Sequence, residues 1–220
     1  LLGGGYFFYT RQRLLRIKQK QLEIERQLQR ARLNPHFIFN ALVAIREIVR
    51  SKDSHQAEHY LLNFSKMMRS MLEFTSEEFI TLEEELEFID QYLELQQLRF
   101  SDRFSYSIQS DVRDSSFLVP AMITQPIVEN AVEHGMKNQS NGHILIHAFT
   151  ENGNCKITVT NNQAAFAKSV STPNRKSFGL EITNKRLAYL SHQLGRSFQL
   201  TGPAINNGQT VVEFDLAEIN

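Results

Sequence analysis

Residues 143–161, HILIHAFTENGNCKITVTN, alternate apolar and polar side chains on both sides of ENGN. Such alternation marks half-buried strands, and Asn152 followed by Gly153 supplies the two positive-φ positions of a type I′ turn. The pattern predicts a β-hairpin. Outward from it, FSYSIQ (104–109) alternates as another strand, and VPAMITQPIVENAVEHG (119–135) reads as a helix. The polar stretch 162–177 has almost no periodicity. A helix follows over 179–192, and SFQLTG (197–202) and QTVVEFDL (209–216) read as two further strands. Helices mixed with hairpins imply an α+β layer, one sheet covered on one face by helices. No P-loop and no Rossmann fingerprint occurs, so a nucleotide here must be held by other means.

The first half has a different texture. Leu14, Ile17, Gln21, Ile24, Leu28 and Ala31 recur at alternating spacings of three and four, the seam of a heptad coiled coil. A parallel homodimer buries such a stripe, and a single amphipathic helix packed on its own domain is the alternative. The apolar set resumes at Ile38, Leu42, Ile45 and Val49, and SKDSH is a polar turn. A second helix fits 56–74, with Ala57, Leu61, Phe64, Met68 and Met71 on one face and Tyr60, Met67 and Leu72 at its borders. Two such hairpins from a dimer make a four-helix bundle. A third helix starts at Thr81, where Thr81 and Glu84 form a capping box, and runs to about residue 98 with Leu82, Leu86, Ile89 and Leu93 inward. Its Glu83, Glu84, Glu85 and Glu87 suit a positive helix N-terminus and read as a solvated face without chemistry.

Between coiled coil and hairpin lies LNPHFIFNAL (33–42). Pro35 has no N–H for the carbonyl of Ala31, so the helix is expected to bend there. His36 and Asn40 share a face one turn apart while Ile38 and Leu42 point elsewhere. Taken alone, a histidine on a polar helix face is a bystander.

Composition narrows the setting. The 220 residues carry 24 basic and 24 acidic side chains, so net charge gives no reason to expect nucleic acid. The charge is unevenly placed: residues 11–32 hold eight basic and two acidic groups, and 73–94 hold nine acidic and no basic ones. One cysteine, Cys155, excludes an internal disulfide and a cysteine-based zinc cluster, and suits a reducing compartment. LLGGGYFFYT (1–10) is apolar but shorter than the roughly 20 residues of a bilayer span. The basic run after it, RQRLLRIKQK, is the arrangement found just cytoplasmic of a membrane helix, so 1–10 is read as the end of one. A tag or a signal-peptide remnant is the alternative, although a secretory signal carries its positive charges before the apolar part.

Two places invite ligand chemistry. Gln125, Glu129 and Asn130 bring oxygens to one helix, where Asn130 offers a carbonyl oxygen suited to Mg²⁺. In SFGLEITNKRL (177–187), Gly179 opens a helix whose unpaired N–H groups and dipole suit phosphate; alternatively it is a turn residue.

Four blocks taken together, LNPHFIFNAL, LEEELEFIDQYLELQQLRFSDRF, PAMITQPIVENAVEHG and FGLEITNKRL, in this order, resemble the cytoplasmic part of LytS-type sensor histidine kinases. The resemblance implies a dimeric phosphoacceptor hairpin (four-helix bundle) followed by a Bergerat-type α/β sandwich that binds ATP. It implies His36 as the phosphorylated histidine, Asn130 as the Mg²⁺ ligand, and Gly179 with Leu180 as the helix start against the phosphates. His134, Asn161 and the lid cations Lys168, Arg175 and Lys176 join them around the nucleotide. Asn40, one turn after His36, is expected to orient phosphoryl exchange or a water that reverses it. The implied segments are 1–10, the end of a transmembrane helix; 11–33, a signalling coiled coil; 34–78, the dimerisation and phosphotransfer hairpin; 79–100, a connecting helix; and 101–220, the ATP-binding domain. The expected setting is a homodimer at a bacterial plasma membrane, its domains cytoplasmic, passing phosphate to the aspartate of a response regulator.

Four positions depart from the family pattern. Asn161 stands where an aspartate usually accepts from the adenine amino group, and Gln163 where a glycine follows it. Phe37 follows His36 where a carboxylate base is common, leaving Glu129 as candidate base, and Pro126 replaces a further asparagine. A pseudokinase or dimeric scaffold with weak or absent nucleotide binding is therefore the second reading.

Overall fold

The computed structural model describes residues 41–46, 50, 54–100, 104–114, 116–136, 142–162 and 178–219. The expected membrane-helix end and coiled coil, with Pro35, His36, Asn40, Gln163, Lys168, Arg175 and Lys176, lie outside the described residues.

Residues 41–46 are helical, burying Ala41 and Ala44 and exposing Leu42 and Val43. Helix α1, Ser54–Ser76, follows. It turns Ala57, Tyr60, Met67 and Met71 inward, and Phe74 meets Phe88 edge to face at 5.9 Å. The inward stripe is thus rotated from the expected one: Tyr60 and Met67 are at its centre, not its border, whereas Leu61 and Leu72 are 44% and 60% exposed. The helix carries apolar residues on two sides, and periodicity alone does not say which side meets the rest of its own chain.

Strand β1, Phe79–Thr81, pairs antiparallel with β3, Leu118–Pro120. Helix α2, Leu82–Phe100, starts at the expected capping box: the N–H of Thr81 donates to Glu84 Oε2 at 2.8 Å, and the N–H of Glu84 donates to Thr81 Oγ1 at 3.2 Å. Leu82, Phe88, Ile89, Leu93 and Leu95 are buried, each worth roughly 1.5–3 kcal/mol of apolar transfer.

The main sheet has the order β2-β4-β5-β7-β6. Its strands are β2 (Phe104–Ser110), β4 (Gly142–Glu151), β5 (Asn154–Asn161), β6 (Phe198–Asn206) and β7 (Gln209–Leu216). The β2–β4 pair is parallel and the others are antiparallel. The expected hairpin is present, with Asn152 at φ 53° and Gly153 at φ 83° in its turn. Alternation divides the two faces. Ile144, Ile146, Ala148, Ile157, Val159, Val212 and Phe214 point into one core with Ile127, Val128, Leu187 and Leu190 from the helices. His143, His147, Lys156, Thr158 and Glu213 lie half-buried on the other face. Cys155 belongs to the core side, where burial raises its thiol to about 12.

The stretch 119–135 is less helical than its sequence suggests. Val119 and Pro120 complete β3, Met122 takes a left-handed φ of 54°, and helix α3 is only Gln125–Asn130, continuing as a π-helical turn over Ala131–Met136. A residue before proline is pushed to extended backbone and a left-handed residue ends any regular helix, whereas Pro126 is tolerated in a first turn. Helix α4, Phe178–Leu194, includes the expected 179–192.

Candidate functional site

Helices α3 and α4 meet at a glycine. A Cβ added to Gly179 would stand 3.2 Å from Pro126 Cβ and 3.4 Å from Asn130 Nδ2. Pro126 and Asn130 are one helical turn apart on α3, so both face the opening turn of α4. That turn is internally braced: Thr183 Oγ1 donates to the carbonyl of Gly179 at 2.9 Å, and Asn184 Nδ2 to that of Leu180 at 3.1 Å. The Leu180 side chain is buried beneath it. The first amides of a 17-residue helix lack intrahelical acceptors and sit at the positive end of its dipole. Two blocks far apart in sequence therefore place an amide side chain beside a helix N-terminus.

Glu129 and Asn130 are half-buried, and Gln125 Nε2 donates to Glu129 Oε1 at 2.9 Å. His134 lies on the π-helical turn. Asn161 closes β5, only 2% exposed, opposite Ile144 on β4 and Thr210 on β7. Its neighbour Asn162 ties that strand end down: its N–H donates to the carbonyl of His143 at 3.2 Å, and its Oδ1 accepts from the N–H of His143 at 2.9 Å. Asn161 is thus a buried side chain at a fixed strand end. Among the described residues no three His, Cys, Asp or Glu side chains cluster as a metal site.

The sequence reading missed one participant. Glu85, expected on a solvated face, is fully buried. Its Oε2 accepts from the N–H of Met122 at 2.7 Å, and its Oε1 accepts from the N–H of Thr124 at 2.8 Å and from the Thr124 hydroxyl. Burial pushes the carboxyl above its ordinary range, and these hydrogen bonds with the Arg186 charge pull back against it. From α4, Arg186 Nη1 donates to the carbonyl of Ala121 at 2.6 Å and Nη2 to that of Glu78 at 3.4 Å. A signal was present: Glu85 falls in phase with Leu82, Ile89 and Tyr92, on the stripe that faces the core. A second link runs from Arg99 on α2 to Glu133 on the π-helical turn, 3.2 Å apart. Near them Tyr92 is raised well above its ordinary value, by burial first and then by the charges of Glu129 and Glu133.

A mixed five-stranded sheet with helices on one face, and an amide-bearing helix set against a glycine-opened helix, is the Bergerat-type α/β layer. A solved bacterial phosphotransferase shares it, with a TM-score of 0.51 at 9% identity, covering 88% of this chain and 96% of that one; this likeness speaks for the fold alone. Residues 24–104 match the family model described as histidine kinase. Sensor protein LytS of Oceanobacillus iheyensis is 34% identical over 156 residues, covering 70% of this chain and 26% of the relative. Sensor histidine kinase BtsS of Escherichia coli K12 is 33% identical over 173 residues, covering 78% of this chain and 30% of the relative. The chain is a relative of the LytS-type sensor histidine kinases, and it spans only 26% and 30% of the length of these two.

Proposed function

We propose that this chain is the kinase portion of a two-component sensor, phosphorylating itself on His36 at the expense of ATP and passing the phosphoryl group to an aspartate of a response regulator. The facing of Gly179 and Asn130 carries the reading: the space a side chain at Gly179 would fill lies against the Asn130 amide, 3.4 Å from a Cβ position, and the glycine leaves it open. Such a cradle fits a phosphate chain at a helix N-terminus, and an amide oxygen fits Mg²⁺, a hard cation.

In this reading ATP supplies the γ-phosphoryl group and Mg²⁺ offsets the charge on its oxygens. Asn130 holds the metal through its side-chain oxygen. Gly179 and Leu180 present the opening amides of α4, and Lys168, Arg175 and Lys176 neutralise phosphate oxygens from the lid segment. His134 and Asn161 contribute to the nucleotide pocket, Asn161 offering an acceptor at its adenine end. An ordinary imidazole, with a pKa of about 6.5, is mostly neutral at pH 7, so His36 attacks with a ring-nitrogen lone pair as the bond from phosphorus to the departing ADP oxygen breaks. In the same reading Glu129 takes the other ring proton, and Asn40 orients the later exchange with aspartate or water.

The setting follows from the same reading. Leu42, Val43, Leu61, Leu62 and Leu72 are exposed on the helical segments, an apolar surface suited to a four-helix bundle with a second copy. The residues before the coiled coil tether the dimer to a bacterial plasma membrane, with these domains on its cytoplasmic side. Among the described residues no helix is long and apolar enough to cross a membrane.

One observation favours a second reading, a pseudokinase that binds nucleotide weakly: the buried side chain at the end of β5 is the uncharged Asn161. Incubation with γ-labelled ATP and Mg²⁺ separates the two. The kinase reading expects acid-labile label in the wild type and none in His36→Gln or Asn130→Asp. Label that persists in His36→Gln, or none in the wild type, refutes it.

A further inference from the structure

We propose that Glu85 is a positioning residue for the nucleotide site, acting through the Met122–Thr124 turn to hold Asn130 against the opening turn of α4; this deepens the kinase reading and rests on it. Four observations converge. Glu85 is a charged side chain with no exposure, so its place in the core requires compensating partners. All three donors it accepts from belong to Met122 and Thr124, none to its own helix, whose N-terminus is already capped by Thr81 and Glu84.

The third observation concerns α3. It keeps α-helical geometry for only six residues before passing into the π-helical turn, and its N-cap Thr124 makes no side-chain cap because the hydroxyl points to Glu85 instead. The direction in which α3 projects Asn130, about 9 Å along the axis, is therefore set by the core packing of Ile127 and Val128 together with the carboxylate that grips its entry. Fourth, Arg186, on the helix that Gly179 opens, grips the same entry at the carbonyl of Ala121. The elements bearing Asn130 and Gly179 are thus registered against one buried point on the helix that follows the hairpin. With 3.4 Å between Asn130 Nδ2 and a Gly179 Cβ position, a small tilt of α3 changes the site.

The full chain tests this in two independent measurements, made well below the melting temperature. Glu85→Gln keeps the shape and one acceptor but must turn its NH₂ group toward the N–H of either Met122 or Thr124. First, without nucleotide, amide hydrogen exchange is expected to speed up about tenfold or more in α3 while β5 keeps its protection. Unchanged α3 exchange overturns the inference whatever the kinase assay gives. Second, the KM for ATP in phosphohistidine formation is expected to rise about tenfold, beyond any fall in kcat. A folded Glu85→Gln with wild-type KM overturns it also. If Glu85→Gln does not fold, Thr124→Val and Thr124→Ser decide: Val is expected to raise α3 exchange and KM, Ser to restore both, and wild-type behaviour of Val overturns the proposal. A wild type that forms no phosphohistidine defeats the kinase reading alone, and α3 exchange still judges the positioning role.

Discussion

Gly179 and Asn130 face each other where α3 meets α4, with no side chain between them: a methyl group on Gly179 would touch Asn130 Nδ2 at 3.4 Å and press on Pro126 Cβ at 3.2 Å. Gly179→Ala forces α3 or the first turn of α4 to give by a few tenths of an ångström. Helix propensity favours alanine by about 0.5–1 kcal/mol, so thermal stability should hold or rise slightly. Affinity for Mg·ATP should fall about five- to tenfold, because the donors no longer converge. Calorimetric titration with Mg·ATP beside a melting curve checks both, and an unchanged affinity shows that Gly179 is only a helix start.

Truncating Glu85 tests the buried network as a source of stability. Glu85→Ala leaves the N–H groups of Met122 and Thr124 buried without their acceptor. Each orphaned donor costs about 1–3 kcal/mol, so a total loss of roughly 3–5 kcal/mol is expected in urea unfolding. A loss below about 1 kcal/mol would mean that water reaches the turn and replaces the carboxylate.

Acidity should act on the same residue with a definite sign. Burial is the first cause of the raised carboxyl, with the Thr124 and Met122 hydrogen bonds and Arg186 opposing it. A group with a folded pKa above its unfolded one binds more protons when folded, so its contribution to stability is greatest in acid. It declines as pH rises from the ordinary carboxylate value through the raised one. The wild type should therefore lose stability relative to Glu85→Gln across that window. Melting temperatures of both proteins between pH 4 and 7, compared pairwise, give the answer; a gap that widens with pH contradicts the direction.

The outward leucines of α1 make a prediction about assembly. Leu61 and Leu72 are 44% and 60% exposed and face away from α2, so glutamine there removes little from the chain's own core. Leu61→Gln with Leu72→Gln should convert a dimer to a monomer in analytical ultracentrifugation at micromolar protein and leave the melting of the sheet nearly unchanged. A dimer that survives both changes places the bundle contact elsewhere.

The longer strands of the sheet were legible, except that β6 runs on past the expected SFQLTG through Pro203 to Asn206. QTVVEFDL became β7 without a residue's difference, and Asn152 with Gly153 turned the hairpin as its dihedral needs dictate. Thr81 and Glu84 announced the start of α2 because a capping box is wholly local. The strands β1 and β3 were not legible, since three residues cannot display a period of two and their pairing joins segments nearly forty residues apart. Helix α3 was overextended because Val119 and Met122 look helical by hydrophobic spacing, while Pro120 and the left-handed Met122 decide otherwise. Of the candidate site, Asn130 and Gly179 were named from sequence and are brought together. Glu85 was missed because charge was weighed above phase: four glutamates in a run of five look like solvent, although one of them lies on the inward stripe.

The strand order has a consequence for biosynthesis. β7 lies between β5 and β6, so the strand ending in Asn161 has one open edge until residues 210–216 pair with it, about fifty residues later in the chain. During translation the emerging β4–β5 hairpin leaves the outer edge of β5 open beside Ile157 and Val159, the kind of edge that invites pairing with a neighbouring chain. A ribosome that stalls before residue 210 would release a protein with its hairpin formed and an adhesive margin uncovered, so quality control has reason to watch this molecule until β7 has emerged.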